Sequence, residues 1–243
     1  MILEGYSKRE SGLPVLTDQQ IDQIAEVCAF EFFPEMFAKP QPIDPAVFIE
    51  CCLGYDLDFL YLSSCQVYLG MTCFKNIAIP IWNNELFKAE FANVDAGTVI
   101  IDRGLFEEAH YKGFYGRLRF TEAHEAGHCI LHPDFFMNAA AQTRVGENNY
   151  VMGACHSAIY GNWEADEAEH QADMFASCFL IPFGSLKKLI DDRQARKWED
   201  RDLIILVKET YNVSWPTAFY RLQKLGWLNT DSKIFDWDEF SES

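Results

Sequence analysis

The chain has 243 residues, 49% hydrophobic and 23% charged, enough apolar material for one core or for one core with a small appendage. Its formal net charge of −17 opposes nonspecific attraction to nucleic acid or to an anionic membrane, and it favours a basic partner drawn in electrostatically. No apolar run reaches membrane-spanning length, and Met1-Ile2-Leu3-Glu4 lacks the basic and apolar regions of a signal peptide, so the expectation is a cytoplasmic protein with no membrane partner.

In chain order, Thr17-Asp18-Gln19-Gln20 reads as a capping box. The helix it predicts turns Ile21, Ile24, Ala25, Cys28 and Phe32 inward and ends before Pro34. Asp44-Pro45 predicts a second helix, to about Leu53. Short apolar runs at 59–62, 67–73, 77–82 and 98–102, separated by turn residues, predict the strands of one small sheet. The eight cysteines, at 28, 51, 52, 65, 73, 129, 155 and 178, contain no C-x-x-C pair and are expected as free thiols. Cys155-His156 is a single adjacent pair and does not make a second metal site.

The next segment names a chemistry. His124-Glu125-Ala126-Gly127-His128 is an H-E-x-x-H motif. Phe120, Ala123, Gly127, Ile130 and Leu131 form an apolar stripe at helical spacing, so the motif is on a helix, which Pro133 ends. There His124 and His128 lie one turn apart on one face and can share a metal ion, with Glu125 beside it to take a proton from water on that ion. A third ligand is needed, because a catalytic zinc takes three protein donors. The longer three-histidine pattern fails: Leu131 stands where it requires Gly, and Asp134 where it requires His. His132 is one turn further along and reads as helix end or as support for a ligand.

A second amphipathic helix, with Ala165, Ala168, Ala172, Phe175, Ala176 and Phe179 inward, ends at Pro182. Its polar candidates are Glu164, Asp166, Glu167, Glu169 and His170. Glu169 stands out because Asp173 follows four residues later on the same face. Glu169 can bind the ion while Asp173 accepts the free ring N–H of a ligating histidine. Between the two helices, the glycines and asparagines of 146–161 mark a loop, readable as an insertion over the cleft.

Residues 187–202 are charged and link to, or extend from, the second helix. A helix over 202–209, a turn at 211–214 and a helix over 215–225 capped by Ser214 and Gly226 resemble a helix-turn-helix. It supplies only Lys208, Arg221 and Lys224 as basic groups, so it suits packing or partner docking better than direct nucleic-acid binding. The tail over 232–243 mixes acids with Phe235, Trp237 and Phe240 and either docks or stays loose. The expected division is 1–197 and 198–243.

Phe120-Thr121 through His128, together with Glu169-x-x-Ala172-Asp173-x-Phe175-Ala176 and Leu180-Ile181-Pro182, resembles the two motif blocks of the ImmA/IrrE-type metallopeptidases. Weaker likeness at 42–45 and 97–102 extends it over roughly 17–185. The resemblance implies an α+β, zincin-like domain with a small mixed sheet beside the active-site helices. It implies His124, His128 and Glu169 as metal ligands and Glu125 as general base. The cofactor would be Zn2+, with Mn2+ the other ion considered, and Asp173 would support a ligand. The implied activity is endopeptidase cleavage of a protein or peptide substrate, a helix-turn-helix repressor, releasing stress-response or mobile-element genes. Tyr150, His156 and Tyr160 are candidates to stabilise an oxyanion. In zincin-type folds an edge strand holds the substrate, and Thr98–Asp102 is the expected strand here. The alternatives are a non-proteolytic regulator that binds DNA or a transcription factor through its C-terminal helices, and a structural metal domain. The intact Glu125 argues against the latter.

Overall fold

The computed structural model of the chain describes residues 5–138 and 163–228. Helix α1 (Asp18–Phe32) starts on the expected capping box: Thr17 accepts from the Gln20 backbone, and the Gln20 side chain accepts from the Thr17 backbone at 2.8 Å. After α2 (Glu35–Ala38), α3 (Pro45–Val47) begins on an Asp44 cap and runs on as a π-helical segment, Phe48–Leu53. Gly54, at φ 73°, closes that segment in the left-handed region.

Strands β1 (Asp56–Leu60), β2 (Gly70–Cys73), β3 (Ile77–Asn83), β4 (Lys88–Val94) and β5 (Thr98–Asp102) follow. They form two sheets rather than the single one expected. β5 lies between β1, to which it is parallel, and β2, to which it is antiparallel, while among the described residues β3 and β4 pair only with each other. The expectation that Thr98–Asp102 is a substrate-holding edge is therefore overturned. Both of its sides pair with neighbouring strands, and all five of its residues are buried.

The connection from β5 holds a helix of its own, α4 (Arg103–Lys112), capped by Asp102, which accepts from Leu105 N at 3.0 Å. Next come α5 (Gly116–Leu131), α6 (Pro133–Met137), α7 (Trp163–Leu180), α8 (Phe183–Asp192), a 3-10 turn (Ala195–Lys197), α9 (Asp200–Tyr211) and α10 (Trp215–Lys224). Pro133 ends α5 and at once starts α6, a position where its missing N–H costs nothing. Together these elements make a mixed α and β architecture in which a small sheet flanks a layer of helices.

One apolar core joins Ile21 and Ile24 of α1, Val99 and Ile101 of β5, Ala123 and Ala126 of α5, and Phe175 and Phe179 of α7. The same core takes in Leu203 and Val207 of α9 and Phe219 and Leu222 of α10, so it has no break near 197/198. Arg221 is buried and fastens α10 to the body. Its two terminal nitrogens donate to Asp22 at 2.8 and 2.7 Å, and its Nε donates to the Ile181 carbonyl at 3.0 Å. Lys224 pairs with Asp18, and Lys208 lies 5.4 Å from the Trp215 ring. Ser214 caps α10 by accepting from Thr217 N, and Gly226 follows at φ 67°.

The N-terminal strap, residues 5–16, crosses between the end of α5–α6 and the start of α7. Gly12, at φ 90°, lies directly on the Asp134 backbone, Ser11 donates to Glu164 at 3.1 Å, and Arg9 sits 4.4 Å from the centre of the Trp163 ring. Among the described residues the cysteines are free thiols, with 28, 73, 129 and 178 buried and 51 and 65 exposed, and no helix is long and apolar enough to cross a membrane. Cys155-His156 and the tail over 232–243 lie outside the described residues.

Candidate metal centre

The site forms where α5 crosses α7. Gly127 allows the close approach: a Cβ there would stand 3.2 Å from the Phe175 ring and 3.3 Å from the Ala172 backbone. This brings Glu169 of α7 over the two imidazoles of α5. His124 Nε2 and His128 Nε2 are 3.0 Å apart, Glu169 Oε2 is 3.3 Å from His124 Nε2, and Glu169 Oε1 is 3.5 Å from His128 Nε2.

These spacings can be tested against an ion. Ligand bonds of about 2.0–2.1 Å at tetrahedral angles place donor atoms about 3.3–3.4 Å apart. The three separations bracket that value. Glu169 Oε2 is buried and accepts no aligned hydrogen bond, although burial makes such an oxygen costly to leave unpaired. Two nitrogens and a carboxylate facing one point, with an orphaned oxygen among them, fit a cation bound by His124, His128 and Glu169 and leave one position free.

The field at this point favours positive charge. Burial opposes a charge on His124, but hydrogen bonds to Asp173 and Glu169 and the nearby Glu125 outweigh it and hold the imidazole well above its ordinary value. Burial likewise opposes charge on Glu169, yet His128 and His124 hold its carboxyl well below the usual range. Protein groups thus stabilise a proton where an ion would sit.

Each imidazole also has a partner behind it. His124 Nδ1 is 2.9 Å from Asp173 Oδ1, the relation expected from the Glu169–Asp173 spacing. His128 Nδ1 is 3.0 Å from His132 Nδ1, and His132 Nε2 is 3.2 Å from Gln171 Oε1. Burial first, then the charges of His128 and His124, hold His132 well below its ordinary value. His132 therefore stands behind a ligand and supplies none of its own atoms to the cluster.

Glu125 is buried beside the cluster, and the Thr72 hydroxyl donates to its Oε2 at 2.7 Å. Burial pushes its carboxyl above the usual range, against the pull of His128, His124 and Thr72. β2 runs directly past it: a Cβ on Gly70 would collide with the Glu125 carboxylate, so glycine leaves that carboxylate in place.

The other acids of α7 have different employment. Glu164 holds Ser11 of the strap, Glu167 accepts from Gln171 at 3.1 Å, His170 pairs with Asp18 at 3.0 Å, and Asp166 is exposed. Tyr150, His156, Tyr160 and the whole of 146–161 lie outside the described residues. Three residues of this neighbourhood were not singled out by motif: Gly70, Thr72 and Gln171. Gln171 carried a signal, since it is a polar residue at a buried position of the 168-171-172-175 stripe. Gly70 and Thr72 carried none, because they meet Glu125 only through the packing of β2 on α5. No protein-family model matches the chain, and no curated protein matches it.

Proposed function

We propose that the protein is a zinc-dependent endopeptidase of zincin-like architecture. The observation that carries this reading is the convergence of His124 Nε2, His128 Nε2 and the Glu169 carboxylate beside a buried Glu125. A structural site closes four protein ligands around its ion and has no use for a buried acid next to it. Zinc in the cluster would supply Lewis acidity, polarising a scissile carbonyl and bringing the deprotonation of water into the neutral range.

The chain's own groups supply the rest. Glu125, with its proton affinity raised by burial and its orientation held by Thr72, takes the proton from the attacking water and delivers it to the leaving amine. Asp173 and His132 hold the two imidazoles in line. β2 is the strand nearest Glu125, and among the described residues its outer edge pairs with no strand. An extended peptide adding to that edge would bring its carbonyls past Glu125. The two nitrogen donors favour zinc over manganese, which prefers an oxygen-rich shell.

The likeness of the two helical motifs to ImmA/IrrE-type peptidases makes a helix-turn-helix repressor the substrate to try. The test is co-expression with the repressor encoded beside the gene, wild type against Glu125→Gln, with metal analysis of both. The wild type is expected to carry about one zinc per chain and to cleave. Glu125→Gln is expected to carry the same zinc and leave the repressor intact. Undiminished cleavage by Glu125→Gln would sink the mechanism, and manganese in place of zinc would correct the metal.

A further inference from the structure

We propose that His132, Gln171 and the Pro14 carbonyl form a one-way hydrogen-bond relay that positions His128, making the N-terminal strap a working part of the metal centre. The proposal rests on the reading of His124, His128 and Glu169 as ligands and does not depend on peptidase activity.

The direction of the relay is set at the strap. Pro14 O can only accept, and it takes a hydrogen bond from Gln171 Nε2 at 3.0 Å. The same nitrogen lies 3.1 Å from Glu167 Oε1, a second acceptor. Two acceptors on one side fix the orientation of the Gln171 amide, because rotating it would set its oxygen against two other oxygens. Gln171 Oε1 must therefore face His132 Nε2, 3.2 Å away, and accept from it. With its proton on Nε2, a neutral His132 presents a lone pair at Nδ1. His128 Nδ1, 3.0 Å away, must then be the donor. A neutral His128 with its proton on Nδ1 has its lone pair on Nε2, the atom that faces His124 and Glu169. With both rings neutral, as metal binding through His128 Nε2 requires of that ring, each link allows one direction only. The far carbonyl sets the tautomer of a ligand three hydrogen bonds away.

Burial gives the relay its stringency. His128, His132 and Gln171 are all buried, so no water competes for these links, and a broken one leaves a polar atom unpaired. The two ligands are held by different means: His124 by a carboxylate that is half exposed, His128 by neutral groups throughout the interior. The strap end of the relay is itself pinned, by the Gly12 contact with Asp134 and the Ser11 bond to Glu164.

The experiment uses the full chain with zinc alone as the probe, read by chelator competition and by 15N histidine spectra of the zinc-loaded protein. The wild type is expected to show His128 protonated at Nδ1 and His132 at Nε2. His132→Leu and Gln171→Leu are expected to weaken zinc binding about 10- to 100-fold. His132→Gln keeps an acceptor toward His128 and a donor toward Gln171, and is expected to recover most of the loss. A purely structural role for His132 would not predict that rescue. Wild-type affinity in both leucine variants, or a His132 proton on Nδ1 in the wild type, overturns the relay and leaves the metal centre standing. A wild-type chain that takes up no zinc overturns the metal centre itself.

Discussion

Glu122 lies two residues before His124 and, like it, is buried. Burial, reinforced by the Asp44 carboxylate and only partly offset by Arg119, pushes its carboxyl up to about 8 from an ordinary 4.5. The consequence for stability has a definite sign. Below pH 4.5 the folded and unfolded chains both hold the proton and the group costs nothing. Between 4.5 and 8 the unfolded chain releases the proton while the folded one keeps it, so stability falls as pH rises; above 8 the penalty is constant. Stability is lost at about 1.4 kcal/mol for each pH unit crossed in that window, so the full penalty is on the order of a few kcal/mol. Glu122→Gln, measured by urea unfolding of the metal-free protein, is expected to gain on the wild type progressively from about pH 5 to about pH 8, with its advantage gone near pH 4. A difference that stays flat across that range would mean Glu122 ionises freely in the folded state.

At the level of elements, one buried charge ties α10 to α1 in addition to the apolar core. Arg221 has 1% of its side chain exposed and makes a two-pronged pair with Asp22 of α1. Removing one partner of such a pair leaves the other uncompensated, a loss of about 3–5 kcal/mol. Arg221→Met is expected to fall in that range by urea denaturation, and Arg221→Met with Asp22→Asn to recover part of it. A loss below about 1 kcal/mol would reduce the contact to a surface ion pair. Sequence reading missed this anchor for a physical reason: charge on an amphipathic helix is normally solvated, and nothing local marks Arg221 as the exception. The same habit concealed Glu122. The helices of the proposed ligands were legible because a shared ion would require periodicity. His128 must follow His124 by one turn to face the same point, and Asp173 must follow Glu169 by one turn to stand behind His124, so the pattern is written along the chain. β5 was misplaced although its Val99-Ile100-Ile101 run, apolar on both faces, is the signal of a central strand. β4 was missed because Lys88–Val94 has little β-forming character, and its conformation comes from pairing with β3. The relay was half visible: His132 stood out by its spacing, whereas Pro14 is brought to Gln171 only by the fold.

For the whole molecule, the metal centre and the stability of the chain are one problem. The proposed ligands come from α5 and α7, and the core around those helices takes in α1, β5, α9 and α10. An ion bound there bridges helices on which the rest of the chain packs, and it does so only in the folded state, where the ligands meet. Binding therefore stabilises the entire core. At free zinc a thousandfold above the dissociation constant the gain is about 4 kcal/mol. For a chain of this size each kcal/mol raises the melting temperature by about 2–4 °C. Zinc is thus expected to raise Tm by roughly 8–16 °C, and chelation to reverse it. Continuity of the core also dictates the shape of the transition. Far-UV circular dichroism, which reports all helices, and the part of the near-ultraviolet signal that Trp215→Phe removes, from the start of α10, should move together with and without metal. If Trp215 melted early while the remaining helices followed zinc, the C-terminal helices would be an independent unit. The shared burial of Phe175, Val207 and Leu222 in one cluster predicts a single transition instead.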